Sequence, residues 1–228
     1  MKRSIGGLAA RVNYQVCLVR APHGFFWYGG GGSIVSNYYV LTAAHCVDEP
    51  PTSYLSIRAG SLYCFSGGSL HTPKQIIKHP GYRGPGTGLL VHDIALIQVI
   101  EPLSGPNIAV IPLSGGETPP NTFGTVSGWG KVYGSPYSNM LPEILQASTV
   151  PIYSKETCRM YRTSNPFEDQ ICAGTLTATA CHGDSGGPLV YNGAQVGIVS
   201  YGPVACGIIP TFFTEVSQYI SWIQTYAV

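Results

Sequence analysis

Short runs of β-branched and aromatic residues, each ended by Gly, Pro, Ser or Asn, recur along most of the chain. Runs of this length and spacing are typical of the strands of a β-barrel or β-sandwich. The pattern therefore predicts an all-β protein. The predicted strands include Tyr14–Arg20, Gly32–Leu41, Tyr54–Arg58, Ile94–Ile100, Thr122–Gly128, Ala194–Ser200 and Thr211–Val216.

The pattern changes near the C-terminus, where Val216, Tyr219, Ile220 and Ile223 recur at helical spacing. Ser217 is a suitable N-cap for this segment, so we expect one amphipathic C-terminal helix. A polar, proline-rich stretch at 113–120 separates two halves of similar length. The sequence thus predicts two domains, residues 1–112 and residues 113–228.

Composition narrows the range of partners. Charged residues make up only 10% of the 228 residues, against about a quarter in ordinary globular proteins. The net charge is +1, and Lys and Arg form no cluster, so we expect neither nucleic-acid nor anionic-membrane binding. No uninterrupted apolar run approaches the length of about 20 residues that spans a bilayer.

Seven cysteines favour an oxidising compartment, which predicts a secreted, extracellular protein. An odd count leaves at least one thiol unpaired or bonded to another molecule. Residues 1–3 are far too few for a signal peptide, so they are interpreted as the remnant of an activation peptide or as an added start.

Three segments carry candidate chemistry, in the chain order His, Asp, Ser: LTAAHC at 41–46, HDIAL at 92–96 and CHGDSGGP at 181–188. Each alone is more often structural. Together they supply a serine nucleophile, Ser185, a base that can take its proton, His45, and a carboxylate that can orient the imidazole, Asp93. With SGWG at 127–130 between them, they make the chain resemble the chymotrypsin/trypsin family over essentially its whole length.

This resemblance implies two six-stranded antiparallel Greek-key barrels and a C-terminal helix, in a monomer that needs no metal or cofactor. Backbone N–H groups of Gly183 and Ser185 would form the oxyanion hole, and Ser200 would support Asp93. The partner would be a protein or peptide substrate, or a protein bound without turnover. Four histidines, at 23, 71, 79 and 182, lack the spacing of metal ligands.

The resemblance also assigns a specificity pocket, to which Gly202 would give an open mouth. Thr179 stands where trypsin-like members carry Asp, which disfavours Lys and Arg substrates. Thr211 replaces a family glycine and should shorten the pocket, which favours small or medium apolar side chains. The assigned residues are Thr179, Ala180, His182, Tyr201, Gly202 and Thr211.

Two departures from the family bear on activity. In the family, cleavage frees an α-ammonium group that pairs with the aspartate before the nucleophile, here Asp184. Ser4 stands at the new N-terminus in place of a large aliphatic residue and forfeits about 2–3 kcal/mol of apolar burial. Tyr201 replaces a family tryptophan, either as a conservative exchange or with its side chain turned into the pocket.

By resemblance, disulfides join Cys158 to Cys172 and Cys181 to Cys206. Gly30 occupies the position of the family partner of Cys46, so that family bridge cannot form. Cys17, Cys46 and Cys64 allow three pairings with one thiol left over. Because Cys17 is expected opposite Gly30, the preferred pairing is Cys17–Cys46, which leaves Cys64 free.

Short runs at 55–58, 61–62, 67–68 and 154–158 are similar to the mite group 3 allergen branch, which includes inactivated protease paralogues of the scabies mite. The intact triad residues oppose placement among those paralogues, whereas the altered pocket and activation end favour it. We therefore expect an allergen-like protease homologue of impaired or lost activity, a pseudoprotease that binds protein partners. The alternative is an active serine endopeptidase.

Overall fold

The computed structural model describes residues 8–9, 12–21, 27–48, 54–84, 90–131, 141–161 and 168–227. These ranges contain fourteen β-strands and two short α-helices, α1 (Lys155–Met160) and α2 (Ile220–Tyr226). The predicted activation residue Ser4 lies outside them. No helix in these ranges is long and apolar enough to cross a membrane.

The first sheet is built from the N-terminal half and runs in the order β6-β5-β2-β3-β4-β8-β7. Only Thr72 separates β6 from β7, and this continuous run pairs with β5 at one end and with β8 at the other. Counting the run as one strand, six antiparallel strands close into a barrel. They are β2 (Gln15–Arg20), β3 (Trp27–Ser36), β4 (Tyr39–Thr42), β5 (Leu55–Ala59), β6 (Ser69–His71), β7 (Pro73–Lys78) and β8 (Ala95–Val99).

The second sheet runs β1-β10-β11-β14-β13-β12-β9, and a further pairing of β9 with β10 closes it. Six strands form this ring, and the two-residue β1 adds to the edge of β10. The predicted all-β fold with two barrels is confirmed. The strands are β1 (Leu8–Ala9), β9 (Thr122–Gly128), β10 (Gln146–Ile152), β11 (Gln170–Ala173), β12 (Pro188–Tyr191), β13 (Ala194–Tyr201) and β14 (Thr211–Glu215).

Two predicted elements are corrected. The segment Gly32–Leu41 is not one strand, because β3 turns at 37–38 and returns as β4 in a hairpin that pairs Ser33 with Leu41. Ser217 is not a helix N-cap. It lies inside a 3₁₀ turn, Val216–Tyr219, that precedes α2, and its Oγ is buried without a hydrogen-bond partner.

Both chain ends cross between the two halves. β1 pairs with β10 of the second barrel, although it precedes the first. The apolar face that contains Val216, Tyr219 and Ile223 packs into the core of the first barrel together with Ile34 and Leu96. These two crossings join the barrels to each other. The domain boundary at 112/113 stays a prediction.

The structure contains the disulfides Cys158–Cys172 and Cys181–Cys206. The expected Cys17–Cys46 pairing is wrong, because Cys17 is bonded to Cys64 and Cys46 is a free, buried thiol. The reason is strand register. Cys17 pairs with Gly31, and its neighbour Leu18 pairs with Gly30. A shift of one residue turns a side chain to the opposite face of a sheet, so Cys17 points away from the barrel core that holds Cys46.

Candidate active site

His45 and Asp93 meet because the strands that carry them are neighbours. His45 lies in a 3₁₀ turn just after β4, and Asp93 lies two residues before β8. The antiparallel pairing of Thr42 with Ala95 brings these two chain segments together. His45 Nδ1 lies 2.7 Å from Asp93 Oδ2, and the backbone N–H of His45 donates to Asp93 Oδ1 at 2.9 Å. Two contacts thus fix the position of the imidazole ring.

The second barrel also contributes to holding Asp93. The carboxylate is almost fully buried, with 1% of the residue exposed. Ser200 on β13 donates its hydroxyl to Oδ2 at 2.6 Å, and Thr214 on β14 donates to the Asp93 carbonyl at 2.9 Å. A buried carboxylate is stable as an anion only when hydrogen bonds satisfy it. Ser200 therefore lies where the sequence predicted, against Asp93.

Ser185 lies in the loop before β12, at the interface of the two barrels. Its carbonyl accepts a hydrogen bond from Gly31 of β3 at 2.8 Å, and the next amide, that of Gly186, donates to Val199 of β13. A Cβ built on Gly30 would lie 2.9 Å from both the Ser185 carbonyl and Cys46 Sγ. The glycines of β3 therefore let the first barrel approach the nucleophile loop closely. Ser185 Oγ makes no hydrogen bond within the described ranges.

The proposed oxyanion-hole amides, those of Gly183 and Ser185, donate no hydrogen bond to any described residue. Such free donors are what an oxyanion requires. Gly183 has φ +101°, and a Cβ on it would lie 3.0 Å from the Cα of Gly130. Backbone conformation and space both require glycine at this position.

Asp184 is buried, with 4% of the residue exposed, and accepts hydrogen bonds from the amides of Gly130 at 2.8 Å and Cys181 at 2.9 Å. Burial raises the pKa of Asp184 to about 6, although these two hydrogen bonds act in the opposite direction. A Cβ on Gly130 would lie 2.4 Å from the carboxyl carbon, so only glycine fits there. No ion pair to Asp184 is formed within the part of the chain that the structure describes.

A cavity of about 210 Å³ opens beside Ser185. At its base, Thr211 Oγ1 donates to the carbonyl of Ala180 at 3.1 Å and lies 2.9 Å from Thr179 Oγ1. Because Thr211 donates its hydroxyl proton to Ala180, Thr179 is the donor in the hydrogen bond between the two threonines. The lining residues are Ala180, Cys181, His182, Ser185, Val199, Ser200, Tyr201, Gly202, Pro203, Cys206 and Thr211. Thr211 thus lines the cavity, whereas Thr179, assigned to the pocket from the sequence, is buried against Thr211 and is not a lining residue; no Asp or Glu lines the cavity.

Tyr201 forms part of the cavity wall. Its hydroxyl donates to Gln170 Oε1 at 2.8 Å, and its ring stacks on Phe212 with centroids 5.0 Å apart. Gln170 in turn donates to the carbonyl of Leu90. These contacts hold the tyrosine along the wall, which favours the conservative exchange over blockage of the pocket. His182 lies exposed at the rim, with Nε2 2.8 Å from the Val204 carbonyl.

Sequence reasoning missed two features. The burial of Gln170 beside the site was not anticipated, although an amide in an apolar strand such as QICA signals an internal partner. The second feature is the contact of Cys46 Sγ with His45 Nε2 at 3.7 Å. Burial disfavours the charged form of His45, but a charge on the Cys46 sulfur and the carboxylate of Asp93 outweigh it and raise the pKa of His45.

Comparisons with known proteins agree with this geometry. The family model described as Trypsin matches residues 8–223. Trypsin Blo t 3 of Blomia tropicalis is 36% identical over 222 residues, which cover 92% of this chain and 80% of that protein. Chymotrypsin-2 of Vespa crabro is also 36% identical, with 96% of this chain and 98% of that protein covered.

A solved structure gives the same result. Neuropsin, a serine protease expressed in the limbic system of mouse brain, superposes with a TM-score of 0.86 at 30% identity, over 97% of this chain and 98% of that one. A mite group 3 relative is thus among the similar proteins, while placement among the inactivated scabies mite paralogues stays a prediction. The chain belongs to the trypsin family of chymotrypsin-like serine proteases.

Proposed function

We propose that the protein is a serine endopeptidase that cleaves peptide bonds after small or medium apolar residues. The observation that carries this proposal is the hydrogen-bonded chain Ser200–Asp93–His45. This chain of hydrogen bonds orients the imidazole of His45. Ser185 lines an open cavity at the same site. A site with an oriented base, a neighbouring alcohol and unused backbone donors is suited to acyl transfer.

The proposed reaction has two halves. Ser185 Oγ attacks the scissile carbonyl while His45 Nε2 takes the hydroxyl proton, and the resulting oxyanion receives hydrogen bonds from the amides of Gly183 and Ser185. The intermediate expels the amine, which takes the proton from His45, and an acyl ester remains on Ser185. Water, deprotonated by His45, then hydrolyses the ester. Each oxyanion donor contributes about 3–4 kcal/mol in comparable sites.

The preference for apolar side chains rests on the base of the cavity. Thr211, which lines the cavity, and Thr179, which is buried behind it and hydrogen-bonded to it, are both uncharged, so they offer no counter-ion to a Lys or Arg substrate. A cationic side chain would lose its hydration there without gaining a counter-ion, which costs several kcal/mol. The Thr211 side chain also occupies depth that a large aromatic side chain would need.

We further propose that the protein acts outside the cell as a monomer and matures by cleavage after Arg3. The new α-ammonium group of Ser4 would then pair with Asp184. Support for this comes from Asp184 itself, a buried carboxylate whose pKa is raised to about 6 by burial. A cation beside such a group stabilises its charged form.

A second candidate function is binding of protein partners without turnover. It is favoured by one observation: Ser185 Oγ has no hydrogen bond among the described residues, while Cys46 Sγ lies against the nitrogen that should activate it. Catalytic hydrogen bonds are often long in unliganded enzymes, so this observation weighs less than the assembled chain of contacts behind His45.

A fluorophosphonate probe distinguishes the two functions. The sample is first matured, with loss of Met1–Arg3 verified by mass spectrometry, and Ser185→Ala is the matched control. Labelling that maps to Ser185 and disappears in the control supports the peptidase. Absence of labelling in the verified sample supports the binding protein, and Tyr201→Gly then tests whether the pocket wall is responsible.

A further inference from the structure

The thiol of Cys46 is enclosed next to the imidazole of His45. Only 6% of Cys46 is exposed, and it forms no disulfide. A Cβ placed on Gly30 would lie 2.9 Å from the sulfur, and one on Gly186 would lie 3.2 Å from it. Glycine backbone therefore bounds the thiol on two sides. Among the described residues, the one side chain within hydrogen-bonding reach of the sulfur is His45, through Nε2 at 3.7 Å.

The direction of this contact follows from the other imidazole nitrogen. Asp93 Oδ2 accepts the proton of His45 Nδ1, so a neutral ring has its lone pair at Nε2. The Cys46 S–H can donate to that lone pair, and when the proton passes to Nε2 the negative sulfur left behind raises the pKa of His45. In the proposed mechanism the same lone pair must accept the proton of Ser185, whose hydroxyl is without a hydrogen bond in the described ranges. Two donors thus share one acceptor.

We propose that Cys46 is a positioning residue that competes with Ser185 for Nε2 of His45 and so attenuates the nucleophile. This inference rests on the proposed peptidase function. It assigns a defined effect on the reaction to the free thiol of Cys46, which the sequence predicts in a disulfide with Cys17. Removal of the thiol leaves Nε2 to Ser185 alone.

Other charged and titratable groups near the pair set its pH dependence. Arg20 donates to the Cys46 carbonyl at 2.9 Å, and Asp48 pairs with Lys78. Burial raises the pKa values of Tyr28 and Tyr82. Asp184 raises that of Tyr28 further, Asp93 raises that of Tyr82 further, and a charge on Cys46 adds to both shifts. Because Asp93 is retained in a Cys46 variant, only the sulfur's contribution to His45 is lost. The acidic limb of the pH profile, along which His45 becomes neutral and the labelling rate rises, should therefore move to lower pH.

The test compares matured wild type with Cys46→Ala, and Cys46→Ser is the matched control that retains a donor. We measure the rate of fluorophosphonate labelling of Ser185 against pH. At neutral pH we expect Cys46→Ala to react about two- to tenfold faster, the range that one neutral hydrogen bond supplies. Cys46→Ser should stay nearer to wild type. Equal rates and superimposable profiles for all three proteins would overturn the proposal.

A second measurement does not depend on activity. The His45 ring is titrated by NMR in Ser185→Ala with and without Cys46→Ala. A downward shift of the His45 titration on loss of the thiol supports the pairing, even if the wild type never labels and the peptidase proposal fails. An unchanged titration refutes it. If Cys46→Ala does not fold, Cys46→Val, which fills the volume without a donor, takes its place.

Discussion

Replacing Thr211 by glycine should deepen the specificity pocket. Thr211 contributes a methyl group and a hydroxyl at the base of the 210 Å³ cavity, and a Cβ on Gly202 would lie only 3.3 Å from its Oγ1. Thr211 and Gly202 are thus close neighbours in the cavity lining. In Thr211→Gly the space of about three carbon-sized groups becomes available to the substrate.

The magnitude follows from apolar burial. Each methylene group that a substrate buries contributes about 0.8 kcal/mol, so a large aromatic side chain should gain about 2 kcal/mol relative to a small one. The ratio of kcat/KM for Phe over Val at the cleaved residue should therefore rise about 30-fold, within the range found for hydrophobic pockets. The assay uses two peptides that differ only at that residue.

The matched control is Thr211→Ser, which retains the hydroxyl bonded to Ala180 and Thr179 and removes only the methyl group. Its ratio should rise about fourfold, as expected for one methylene equivalent. An unchanged ratio in Thr211→Gly would refute the assignment of Thr211 to the pocket base. An equal effect of both variants would show that depth is not what the threonine controls.

Three further predictions concern buried groups. The pKa of Asp184 is raised to about 6 from 3.8, so its protonated form is favoured by folding; the free energy of unfolding of the unmatured protein should fall by about 2 kcal/mol as pH rises from 4 to 6. Urea unfolding at each pH checks this, and Asp184→Asn should flatten the curve; a flat wild-type curve would contradict it. Ser200→Ala removes a bond to Asp93 worth about 1.5–3 kcal/mol, so kcat should drop about tenfold or more with KM little changed, and an unaltered kcat would exclude a role in catalysis. Cys64→Ala opens the Cys17 bridge across 47 residues and should cost about 4 kcal/mol of unfolding free energy, measured in urea; a loss below 1 kcal/mol would argue against the bond.

Much of the site could be predicted from the sequence because its chemistry is concentrated in short motifs. The contact of His45 with Asp93 follows once β4 and β8 are neighbours, and the uncharged pocket follows from the residue types at Thr179 and Thr211. Residues that act through their own type and a local backbone turn, such as Gly183, are also recognisable in advance.

The rest depends on register and on partners far apart in the chain. Cys17 was expected to pair with Gly30 but pairs with Gly31. This shift of one residue turns the Cys17 side chain to the other face of the sheet, where it bonds to Cys64 and not to Cys46. The side-chain direction of Tyr201 depends on Gln170, 31 residues away, and no local pattern encodes that contact.

The central claim is that Ser185 forms a covalent acyl intermediate. The most direct test is the mass of the matured protein quenched in acid during turnover of an ester substrate with Val at the cleaved position. The account predicts a mass increase of one acyl group, mapped to the peptide that contains Ser185 and absent in Ser185→Ala. Substrate hydrolysis with the acyl group on another residue, or no adduct and no hydrolysis, would contradict it.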